Sequence, residues 1–111
     1  MLKSLQSIEF LVHPVGRAAF DREPARVLLT GDEMEPFLQA FSKLRKAGGE
    51  KNSYCIEMLL HLSDGETLHG LFEGAAFIGI EGQHYELRYK TPEYDRMNLA
   101  YSELMRLQPR P

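Results

Sequence analysis

The chain of 111 residues carries one cysteine, Cys55, and no tryptophan. A single cysteine excludes an internal disulfide and every multi-cysteine metal site. With no activating partner identifiable nearby, Cys55 reads as a small buried side chain within a strand. No stretch reaches the ~20 apolar residues of a membrane span. The opening residues MLKSLQSIEF lack the apolar core of a signal peptide, so a cytoplasmic location is expected, or secretion if a native signal was trimmed. GxGxxG, GxxxxGK[ST], GxSxG and HExxH patterns are all absent, which removes the usual phosphate cradles, the hydrolase nucleophile elbow and the zincin site. The expected catalytic set is therefore none, and so is the expected set of cofactors.

A further absence is regional. Between Asn52 and Leu87 there is no Lys or Arg, while Glu57, Asp64, Glu66, Glu73, Glu81 and Glu86 are acidic. With a net charge of −3, that segment is −6 and the remainder +3. A phosphate backbone needs a clustered basic surface, so no nucleic-acid partner is expected there. No membrane partner is expected either.

The acidic segment is also the best-patterned one. Tyr54 to Leu62 (YCIEMLLHL) is rich in residues that suit a pleated surface. Ser63-Asp64-Gly65 reads as a three-residue loop, with Gly65 supplying a positive φ. That loop pairs Leu62 with Glu66, Leu60 with Leu68, Met58 with Gly70 and Ile56 with Phe72, gathering the large apolar residues on one face. Gly74-Ala75 is expected as a two-residue turn opposing Phe72 to Phe77 and Gly70 to Gly79. Glu81-Gly82 closes a last hairpin whose register the pattern leaves open. On this scheme the second face holds Cys55, Glu57, Leu59, His61, Thr67, His69, Leu71, Glu73 and Ile78. It is too apolar for a fully solvated face. A helix, the N-terminal strands, a barrel closure or another molecule is expected to cover part of it.

Upstream, Ile8, Phe10 and Val12 alternate against Glu9, Leu11 and His13 as a strand that Pro14 stops, and residues 26–30 form a second. Arg17, Arg22 and Arg26 fall close enough to form an anion site, or to pair with the chain's own carboxylates. A first helix is expected from about Asp32–Pro36 to Gly48-Gly49, with Met34, Phe37, Leu38, Phe41 and Leu44 on one stripe. Lys43, Arg45 and Lys46 would then occupy its last turns. Thr91-Pro92-Glu93 opens a second helix with Met97, Ala100, Tyr101, Leu104 and Met105 inward.

The expected fold is a single α+β domain over residues 1–111. It is an antiparallel meander sheet of about five to six strands, order ββα-ββββ-α, packed by two amphipathic helices. LHLSDGETLHGLF resembles the first half of the Sm-like motif, in which a strand, a glycine turn and a second glycine-bearing strand precede a bent barrel. The Asp and Asn that should follow are replaced by GAAFIGIEG, so the resemblance implies only an alternative fold, a strongly bent, barrel-like sheet. His61 and His69 share a face with Glu57 and Glu73, but the histidines sit diagonally and no tight spacing supports zinc, so no metal is expected.

The expected function is a non-enzymatic interaction domain. It would use the acidic, partly apolar sheet face, with Leu59, Leu71, Ile78, Glu57 and Glu73 meeting a protein partner, basic ones included, or a second copy as a homodimer. The alternative is a small-molecule pocket between sheet and helices, lined by Tyr85, Tyr89, Tyr101 and methionines.

Overall fold

The computed structural model describes residues 4–15, 22–48 and 56–109. They form an α+β fold with one seven-stranded sheet. The strands are β1 (Leu5–Val12), β2 (Ala25–Thr30), β3 (Arg45–Lys46), β4 (Ile56–Leu62), β5 (Thr67–Phe72), β6 (Ile78–Ile80) and β7 (Gln83–Glu86). Their spatial order is β2-β1-β4-β5-β6-β7-β3, with every neighbouring pair antiparallel. The sheet stays open, so the barrel-like alternative does not hold; β2 and β3 end it on either side. A 3-10 turn (Gly31–Met34) leads into α1 (Glu35–Phe41), and α2 spans Pro92–Met105.

The β4–β5 hairpin has the register that its hydrophobic pattern dictates. Met58 opposes Gly70, Leu60 opposes Leu68, and the Leu62 amide donates to the Glu66 carbonyl at 2.8 Å across a loop ending in Gly65 at φ +92°. The next hairpin departs from expectation by one residue. Phe72 opposes Ile78, Leu71 opposes Gly79 and Gly70 opposes Ile80, around a three-residue loop closed by the Glu73 amide on the Phe77 carbonyl at 3.0 Å. Tertiary bonds hold that longer loop: the Ala75 amide donates to Asn98 Oδ1 of α2 at 2.8 Å, and the Leu87 amide donates to the Ala75 carbonyl at 2.9 Å. Glu81-Gly82 then makes a two-residue turn with both residues at positive φ, as a type I′ hairpin requires.

A one-residue slip moves every side chain to the opposite face. Ile78 and Ile80 accordingly join the core, and Tyr85 packs against it. That core also holds Ile8, Phe10, Val12, Ile56, Met58, Leu60 and Phe72 from the strands, Phe37, Ala40 and Phe41 from α1, and Met97 and Leu104 from α2. Phe37 packs between Phe10 and Phe72, with ring centroids 5.2 and 5.9 Å away, and Tyr101 meets Phe72 edge-on at 6.1 Å. Both helices thus cover one side of the sheet.

The helices differ in how closely they follow their own sequence. α2 begins as expected, with Thr91 Oγ1 accepting the Tyr94 amide at 3.2 Å and Pro92 in the first turn. α1 stops at Phe41 instead of running to Gly48-Gly49. Ser42 Oγ donates to the Gln39 carbonyl at 2.7 Å, and the chain turns to place Arg45–Lys46 against β7. Arg45 reaches Glu86 at 2.9 Å, so these cations serve a sheet edge, not a helix C-terminus.

Candidate functional site

With both helices on the core side, the other face of the sheet has no helix over it among the described residues. The pairing lays its side chains out in rows. One row runs Arg26, Leu11, Glu57, Leu71, Gly79, His84. The next runs Leu28, Glu9, Leu59, His69. A third runs Thr30, Ser7, His61, Thr67. Leucines therefore alternate with charged or imidazole groups both along and across the strands. The chain's four histidines all fall on or beside this face.

Its charges are mutually engaged. Glu9 accepts from Arg26 Nη1 at 3.1 Å and from His61 Nε2 at 3.3 Å, while His61 Nδ1 lies 3.0 Å from the Thr67 hydroxyl. The His61 hydrogen bond holds the Glu9 carboxyl below its ordinary value against the opposing cost of desolvation, and Arg26 adds in the same direction. Glu57 accepts from His13 Nε2 at 3.0 Å, with His69 Nδ1 3.9 Å from its other oxygen. The His69 amide donates to Glu81 at 2.8 Å. His84 stacks on Phe77 with centroids 4.1 Å apart and donates through Nε2 to the Ala76 carbonyl at 3.2 Å. Its Nδ1 is buried without a hydrogen-bond partner among the described residues.

Of the residues expected at this face, Leu59, Leu71 and Glu57 lie on it, partly buried. Ile78 does not: it is 0% exposed on the core side, because the β5–β6 register differs by one. Glu73 is 8% exposed at the end of the β5–β6 loop, too buried to lead a surface contact. Cys55 lies outside the described residues. Leu11, Leu28 and Glu9 belong to the face but were not assigned to it, since nothing local to β1 says that it lies beside β4.

Two carboxylates of the acidic segment 52–87 are engaged from outside it: Glu86 is paired with Arg45, and Glu57 accepts from His13. The arginines proposed as an anion site are only partly within the described residues. Arg26 is paired with Glu9, Arg22 is exposed, and Arg17 lies outside the described residues. No group of three or more His, Cys, Asp or Glu converges as a metal site among the described residues.

The space between sheet and helices is not where the tyrosines suggested. Tyr101 fills core against Phe72, while Tyr89 is exposed and meets Tyr94 edge-on at 5.2 Å. A cleft of ≈ 270 Å³ lies instead at the β2 side, lined by Phe10, Val27, Leu29, Phe37, Leu104 and Leu107 among others. No helix among the described residues is long and apolar enough to cross a membrane. Comparison with protein-family models, curated proteins and solved structures finds no match to this chain.

Proposed function

We propose that the protein is a non-enzymatic interaction domain whose open sheet face receives another protein. One observation carries the reading: both helices pack on the same side of a seven-stranded sheet, leaving the other side without a helical layer among the described residues. Leu28, Leu59 and Leu71 interleave there with Glu9 and Glu57, an apolar patch broken by charge of the kind that marks protein contacts. A partner bearing Lys or Arg would compete with His61 and His13 for the two carboxylates, giving orientation and salt-sensitive association.

Leu71→Asp tests this. It sets a new carboxylate directly opposite Glu57 in the middle of the patch. We expect the folded domain to persist, with an unchanged far-ultraviolet circular dichroism spectrum, while capture of a partner from cell extract is lost. Capture that survives Leu71→Asp, or a variant that does not fold, removes the face from this role. A small-molecule reading has the β2 cleft as its physical counterpart, although that volume falls below the roughly 300–1,000 Å³ usual for such sites. A thermal-shift screen addresses it, because a ligand that binds the folded state raises its melting temperature.

A further inference from the structure

Several unrelated features meet along β2. It is a terminal strand, bonded only to β1, so its outer row of backbone donors and acceptors has no strand partner among the described residues, the Thr30 amide being capped by Glu33 Oε1 at 3.2 Å. The sequence ARVLLT has none of the devices that keep edges apart. It contains no proline and no lysine, its register with β1 shows no bulge, and its one charge, Arg26, is held by Glu9. Leu28, at its middle, is 57% exposed on the open face. Val27 and Leu29, on the other side, line the apolar cleft, and Leu107 on that cleft's wall is 48% exposed.

We infer that two copies of the chain join edge to edge through β2, antiparallel about a two-fold axis at Leu28. Directly opposed residues of an antiparallel pair share a face, so only registers pairing positions of like parity keep both helical layers on one side. Centring on Leu28 pairs Leu28 with Leu28, Val27 with Leu29, and Arg26 with Thr30 of the second copy. Every apolar side chain then meets an apolar one, and each arginine meets a hydroxyl instead of a like charge. The neighbouring register, centred on Val27, sets Arg26 against Leu28 and loses that match. The cleft is too small for a typical ligand within one chain. Joining the edges extends its apolar wall with the second copy's Val27 and Leu29. The result is one continuous sheet with the two open faces side by side. The inference stands on the edge and the cleft, and does not depend on what the open face binds.

Sedimentation equilibrium across micromolar concentrations tests it with three variants. The wild type should dimerise. Leu28→Lys, at an exposed position, should keep the circular dichroism of the folded domain yet weaken the dimer by at least about tenfold, equivalent to about 1.4 kcal/mol, because two ammonium groups meet on the axis. Leu71→Asp, which lies three strands in from the edge, should leave the dimer intact. Leu28→Cys in a Cys55→Ser background should oxidise to a covalent dimer, since directly opposed Cα atoms of an antiparallel pair, ≈ 4.5–5.5 Å apart, fall within the span a disulfide bridges. A wild type that stays monomeric overturns the inference, as does a dimer insensitive to Leu28→Lys or one that Leu71→Asp also dissolves.

Discussion

At the scale of single residues, Glu9 is the most connected charge of the open face. It sits between Leu28 and Leu59 in the register, yet its two oxygens reach diagonally to Arg26 and His61. Because its carboxyl is held below the ordinary value in the folded state, its stabilising contribution is fully present above the unfolded-state value. It fades as pH falls through the lower folded-state value. Glu9→Gln should therefore cost stability at neutral pH and cost almost nothing in strong acid, where the wild-type carboxyl is itself protonated. The site is near solvent, so the loss at pH 7 should not exceed about 1 kcal/mol. Urea denaturation of both proteins at several pH values reads this directly. A wild-type advantage that stays constant into acid would show that the carboxylate's charge is irrelevant.

At the scale of elements, the β5–β6 hairpin joins sequence-readable and unreadable structure. The β4–β5 register was legible because only one loop length puts Ile56, Met58 and Leu60 on the same face as Phe72. The β5–β6 register was not, because Asn98, more than twenty positions downstream, holds the Ala75 amide and stretches the turn by one residue. Gly74 sits at φ +95°, and an added Cβ there would fall 2.8 Å from Asn98 Oδ1, so the turn is fitted to α2 and not only to its strands. The same hairpin explains Gly70. It does not face Gly79, as the shorter turn would have required, but a Cβ on Gly70 would collide with the Gly79 carbonyl oxygen and lie 3.0 Å from Met58 Cε. Backbone cannot give way as a side-chain tip can. Gly70→Ala should therefore destabilise by about 2 kcal/mol, in the range of overpacked cores. Equilibrium unfolding with no shift in midpoint would mean that β5 and β6 separate more easily than this packing implies.

At the scale of the whole molecule, the two faces of the sheet make the functional argument testable without knowing any partner. Period-two alternation identified Leu59 and Leu71 as opposite in facing to Met58 and Leu60, and that much of the site was readable. It could not reveal that β1 inserts between β2 and β4, bringing Leu11 and Glu9 onto the face. Nor could it reveal that both helices choose the same side, since each sequence specifies its own apolar stripe but not which sheet surface receives it. Alanine substitutions should expose the asymmetry. Ile78→Ala, in the fully buried core, should cost about 3 kcal/mol through lost burial and the cavity left behind. Leu71→Ala, one strand away and facing outward, should cost no more than about 1 kcal/mol, because its side chain already meets water in the isolated chain. Urea midpoints measured at low protein concentration decide the matter. Equal losses at the two positions would mean that the isolated domain already covers its second face, which leaves no open surface there for another protein. A large gap means that nature keeps Leu71 where its burial contributes little to folding, the condition under which an apolar side chain is free to serve binding.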